Sequence, residues 1–156
     1  MIYADDVATR SVKTISPMAT IKQAADIMEI HNVGFLPVLS GTKIVGVLTD
    51  RDLALRGLKL GSPNTVQVER IMTRNLVCVD ETSTLEDAAE CMAKNGVRRI
   101  VVLNSGGDLI GVISMDDLAV FTRGDETVGQ ILTKIAKPNS TFAVHPHTYR
   151  PGGIVS

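Results

Sequence analysis

Aromatic side chains are nearly missing from this chain: they make up 3% of it, and there is no tryptophan. Proteins that hold single-stranded nucleic acid stack bases on such rings, so that class is set aside. Neither sign of charge dominates. Lys and Arg number 16 against 17 Asp and Glu, a net charge of −1, which supplies no global field to draw in a nucleic acid polymer or an anionic membrane. Any anion site must come from local clustering. No apolar run approaches the roughly 18 residues needed to span a bilayer. The first residues, Met1-Ile2-Tyr3-Ala4-Asp5-Asp6, have neither the basic nor the apolar region of a signal peptide. A cytoplasmic location with no membrane partner is expected. Cysteine is also scarce. Cys78 and Cys91 have no neighbouring Cys or His with which to form a zinc or redox site, and they read as two small buried hydrophobes.

What is present is a repetition. Thr20-Ile21-Lys22-Gln23-Ala24-Ala25-Asp26-Ile27-Met28 returns as Thr84-Leu85-Glu86-Asp87-Ala88-Ala89-Glu90-Cys91-Met92, 64 positions on, and Gly46-Val47-Leu48-Thr49-Asp50-Arg51-Asp52 returns as Gly111-Val112-Ile113-Ser114-Met115-Asp116-Asp117, 65 positions on. With 156 residues, 44% hydrophobic, the chain suits two small halves that share a core, because pieces of about 60 residues are marginal alone. The spacing predicts repeat 1 over residues 3–60, a linker over 61–67, repeat 2 over 68–124 and a tail over 125–156.

Each repeat opens with a short apolar run, 12–15 or 76–79, that reads as a strand. A helix follows, its start marked by Thr20 with Gln23 and by Thr84 with Asp87 in capping-box spacing. Ile21, Ala24, Ala25 and Met28, and likewise Leu85, Ala88, Ala89 and Met92, recur at the period of one buried helical stripe. Two strands around a Gly-containing turn come next, 35–39 with 44–48 and 99–103 with 109–113, and a second helix begins at Thr49 or Ser114. The fold class is α+β: two tandem β-α-β-β-α repeats, each covering the other's open face, packed with pseudo-twofold symmetry. After residue 123 the repeat stops. Residues 128–135 could form a short helix, while the rest of the tail carries Pro138, Pro146 and Pro151 and no apolar period. His145 and His147 lack a third ligand nearby, so a metal pair is not expected.

Thr49/Asp52 and Ser114/Asp117 each set a hydroxyl at a helix start and a carboxylate three positions on. That is a capping box. It also stands at a strand end, where α/β sheets bind ligands, and a carboxylate there is a good acceptor for two ribose hydroxyls. The implied ligand is a nucleoside with its sugar towards Asp52 or Asp117. A phosphate would need cations, and Arg98-Arg99, just before an apolar strand, is the candidate clamp because guanidinium binds phosphate oxygens bidentately. Arg51 either reaches phosphate or pairs with a neighbouring carboxylate, and Lys13 is a further candidate. The base would need an apolar slot, for which Ile15, Val33, Pro37 and Val38, or Val79, Val97 and Val102, are available. No nucleophile stands beside an oriented base, so neither catalysis nor a cofactor is expected.

The doubled strand-helix-strand-strand-helix pattern, the Gly-Val-Leu-Thr-Asp-Arg-Asp and Gly-Val-Ile-Ser-Met-Asp-Asp endings, and Ile71-Met72-Thr73-Arg74 before the second repeat resemble a tandem pair of cystathionine-β-synthase-type (CBS) domains, a Bateman module, over roughly residues 3 to 124. The resemblance implies regulatory binding of AMP, ADP, ATP or S-adenosylmethionine in clefts between the repeats, homodimers of modules, and a regulated partner protein that the sequence does not identify. It implies Thr49 and Asp52 on ribose in one site, Ser114 and Asp117 in the other, and Arg98-Arg99 reaching across to a phosphate in the first. Gly34-Phe35 stands where the second repeat has Arg98-Arg99, so the second site is expected to be the weaker for phosphorylated ligands. The rival reading is a ligand-free module for dimerisation and protein docking. An enzyme fragment, such as one of an IMP dehydrogenase, is not expected, because the remaining residues leave no room for a catalytic domain.

Overall fold

A computed structural model describes residues 1–122 and 126–136. The first repeat contains α2 (Ile21–His31), a hairpin of β1 (Phe35–Ser40) and β2 (Lys43–Thr49), and α3 (Asp50–Leu55), after a short helix α1 (Ala4–Val7). The second contains β3 (Cys78–Asp80), α4 (Leu85–Asn95), a hairpin of β4 (Arg99–Leu103) and β5 (Leu109–Ser114), and α5 (Met115–Phe121), followed by α6 (Glu126–Ala136). Both long helices start as their spacing predicts: the Thr20 and Thr84 hydroxyls accept from the N–H three residues on, and Gln23 and Asp87 return the bond. They stop at Asn32 and Gly96, which take the left-handed conformation that ends a helix. The hairpins share one register and a bulge at the same place, Val38/Leu39 and Val102/Leu103.

The strand expected to open each repeat is realised unequally. In repeat 2, β3 runs parallel to β4 with Val79 opposite Val102. In repeat 1 the equivalent pairing shrinks to a single bridge, Ile15 to Val38.

The segments leading into the repeats cross over. Thr9 bonds both ways to Val112 of β5, and Thr73 bonds both ways to Val47 of β2. Farther out, Tyr3 bridges Thr84 and Gln67 bridges Thr20. Ala4 and Val7 are therefore buried in the core of repeat 2, with Leu85, Met92, Ile100 and Ile113. Val68, Ile71 and Met72 lie in the core of repeat 1, with Ile21, Leu36 and Leu48. Each arm serves the other repeat, which gives the pair its approximate twofold. The residues most alike by type are thus not the ones that share a core. Burying a residue such as Ile71 completely contributes about 1.5–3 kcal/mol.

Two expectations are corrected. Ala25 is exposed while its counterpart Ala89 is fully buried, because Ile131 and Ile135 of α6 join the α4 side of the second core and no described element covers α2 in that way. The cysteines are not core residues: the pleat of β3 turns Val79 inward and leaves Cys78 exposed, and Cys91 is half-buried with its thiol 3.9 Å from the Cys78 carbonyl. Partial burial, then the charge of Asp80, pushes the Cys78 thiol up, and burial, then the nearby Cys78, does the same for Cys91. The rest of the expected tail, with His145 and His147, lies outside the described residues. No helix among the described residues is long and apolar enough to cross a membrane.

Candidate functional site

At the end of β2, Thr49 Oγ1 accepts from the Asp52 N–H at 3.1 Å, and Asp52 Oδ2 accepts from the Thr49 N–H at 3.0 Å. Asp52 is only 6% exposed. Its other oxygen, Oδ1, lies 3.0 Å from Arg56 Nη2. Arg56 continues to the crossing arm: Nη1 donates to the Ile71 carbonyl at 3.0 Å and Nη2 to Thr73 Oγ1 at 3.1 Å. In the second repeat Ser114 and Asp117 form the same box, and the Ser114 hydroxyl also donates to Asp117 Oδ2 at 2.7 Å. Among the described residues no guanidinium pairs with Asp117, and Phe121 occupies the position of Arg56.

Two open clefts adjoin these boxes. The first, about 340 Å³, is bordered by Thr49, Asp50, Arg51 and Asp52 from its own repeat, Thr73, Asn75 and Val77 from the crossing arm, and Gly96, Val97, Arg98 and Arg99 from the other repeat. The second, about 420 Å³, has Ser114 and Asp117 from its own repeat, Thr9, Ser11, Val12 and Lys13 from the other arm, and His31, Asn32, Val33, Gly34 and Phe35 facing them, with Arg99 beside them. Both fall in the usual size range for small-molecule sites. The crossed arms are what close the clefts. Gly46 and Gly111 let them come so near: a Cβ on Gly46 would meet the Thr73 carbonyl at 2.8 Å, and one on Gly111 would meet the Thr9 carbonyl at 2.5 Å.

Thr49, Asp52, Arg51, Arg98 and Arg99 are brought together in the first cleft, and Ser114, Asp117, Lys13 and Arg99 in the second. The side chains of Lys13, Arg51, Arg98 and Arg99 have no ion-pair or hydrogen-bond partner among the described residues. Arg51 therefore does not pair with the acid on either side of it. Among the proposed base-slot residues, Val97 borders the first cleft and Val33 the second. Ile15, Pro37, Val38 and Val102 are instead buried core, and Val79 packs against the second core. They border neither cleft. The sequence reading missed Thr9, Ser11, Thr73, Asn75 and His31. A signal existed for the arms, since Thr9-Arg10 recurs as Thr73-Arg74 at the repeat offset.

Asp52 and Asp117 hold their own helix starts, yet each carboxylate oxygen has two acceptor sites, so room remains for further donors. Hydroxyl-acid pairs able to accept from a sugar diol face cations able to take an anionic group, across a gap of nucleotide size. Among the described residues no cluster of His, Cys, Asp or Glu could hold a metal ion.

The fold and its paired clefts define a two-repeat α+β module with two open clefts, each bordered by residues of both repeats. The chain belongs to the CBS domain family, whose profile matches residues 4–58 and 68–124. It is 38% identical over 139 residues to the CBS domain-containing protein YhcV of Bacillus subtilis, covering 89% of this chain and 99% of that one. Among solved structures it is similar to the CBS domain pair of protein MJ0100 in complex with 5′-methylthioadenosine and S-adenosyl-L-methionine, at 26% identity and a TM-score of 0.70, covering 80% of this chain and 98% of that one. The fold is also that of CBSX2 in complex with AMP, at 24% identity and a TM-score of 0.70 over 81% of this chain and 99% of that one.

Proposed function

We propose that this chain is a cytoplasmic regulatory module that binds an adenosine derivative (AMP, ADP, ATP or S-adenosylmethionine) and performs no catalysis. The observation that carries the reading is the meeting of Thr49 and the buried Asp52 with Arg51, Arg98 and Arg99, none of these cations paired among the described residues, in one open cleft. In this reading Thr49 and Asp52 hold the ribose, Arg98 and Arg99 clamp the phosphate, and Val97 borders the base. Ser114 and Asp117 act alike in the second cleft, with Lys13 as its cation. The adenosine-type ligands of the MJ0100 domain pair support the ligand class. Ligand bridging both repeats biases their packing by its differential affinity for two arrangements, and a homodimer or a partner protein reads the change. Ile30, Leu55 and Leu58, at least half exposed on the helical side of repeat 1, support the dimer.

Calorimetry and thermal shift with the four compounds at millimolar concentration test the reading. At least one compound should release heat and raise Tm, and Asp52→Ala should abolish most of the shift. Silence from every compound, with Asp52→Ala indistinguishable from the parent, would leave a ligand-free docking module, which the engagement of Asp52 by its own helix cap and Arg56 favours.

A further inference from the structure

We infer that the two clefts share one guanidinium, that of Arg99, so that a phosphate bound in either cleft weakens phosphate binding in the other. The inference rests on the nucleotide reading above and adds how the two sites regulate each other.

Arg99 is the first residue of β4, is exposed, and borders both clefts. Gly34 and Phe35 border both as well, so the clefts are separated there by little more than these residues. Arg99 has no ion-pair or hydrogen-bond partner among the described residues, so none of them fixes it to one side.

The remaining cations are unequal. Among the described residues, without Arg99 the first cleft keeps Arg51 and Arg98, but the second keeps Lys13. A guanidinium that forks onto one phosphate has its donors aimed at that oxygen pair and is no longer placed for a second. The first cleft should fill first and the second late. Because coupling is reciprocal, the same penalty applies in either order. A ligand without a phosphate makes no claim on Arg99 and should show no such penalty.

The experiment separates coupling from a mere difference between sites. AMP is titrated calorimetrically into the wild-type chain and into Asp52→Ala, which disables the first cleft. The second cleft should bind AMP about tenfold more tightly in Asp52→Ala than in the second step of the wild type. In an Arg99→Gln background that ratio should fall to near one, and with adenosine in place of AMP it should be near one throughout. Should Asp52→Ala fail to fold, Asp52→Asn is titrated in its place: its amide oxygen can still accept from the Thr49 N–H, but no carboxylate is left for the ribose. A ratio of one for AMP in the wild-type background, or a ratio that survives Arg99→Gln, overturns the inference and leaves the nucleotide reading standing. No binding of AMP to the wild type overturns the shared role of Arg99, and silence from the other three compounds as well removes the reading beneath it.

Discussion

Arg56 ties the buried acid of the first cleft to the arm that closes it, reaching Asp52, the Ile71 carbonyl and Thr73 with one planar group. It is a positioning residue. Half its side chain is exposed, so solvent weakens the ion pair, while the bonds to the arm hold two segments together. Replacing it by Ala should lower stability by about 1 kcal/mol, read from urea unfolding. It should also reduce nucleotide affinity in the first cleft while leaving the second unchanged. Arg56→Lys should recover little, because an ammonium cannot fork onto three acceptors. Equal loss in both clefts would show that Arg56 supports the module generally rather than Asp52. Arg56 was readable as an i+4 partner of Asp52 on one helix, but its contact with a segment 15 residues away was not. The mixed fate of the base-slot residues has a similar cause. Val97 and Val38 are the same residue type, but Val97 stands in the turn between α4 and β4 and borders a cleft, while Val38 lies inside β1 and is buried core, a difference set by tertiary packing.

Among the elements, the helices and hairpins followed from local spacing: the capping residues, the period of the apolar stripe and the turn residues each act within a few positions. The crossing of the arms did not follow. An apolar pattern says that Val68 and Ile71 must be buried, but with two near-identical cores available it does not say which one receives them. The clue lay in glycine. Gly46 and Gly111 sit inside strands, where glycine weakens pairing, and the backbone carbonyls of Thr73 and Thr9 are the reason. Gly46→Ala should therefore push the arm off β2 and cost about 1–3 kcal/mol, measured as a lower urea midpoint. It should also bring faster hydrogen exchange at the Thr73 and Val47 amides. Gly111→Ala should do the same to Thr9 and Val112. A stable Gly46→Ala protein with unchanged exchange would mean that the arm is not held against that strand.

Over the whole molecule, neither repeat holds its own core. A chain cut within the exposed stretch 58–65 yields a first fragment without Val66, Val68, Ile71 and Met72, and a second fragment without Ala4 and Val7. The first fragment alone, kept dilute, should give the circular dichroism of an unfolded chain. Adding an equal amount of the second should restore helix signal and yield a one-to-one complex by analytical ultracentrifugation. A folded monomer of the first fragment would contradict the exchange. The same dependence explains why this architecture comes as a pair. A polypeptide carrying one copy of the motif could complete itself only by meeting a sibling, at a rate and yield set by concentration. Joining two copies end to end makes that meeting intramolecular, and afterwards each copy is free to diverge, as Arg98-Arg99 opposite Gly34-Phe35 records.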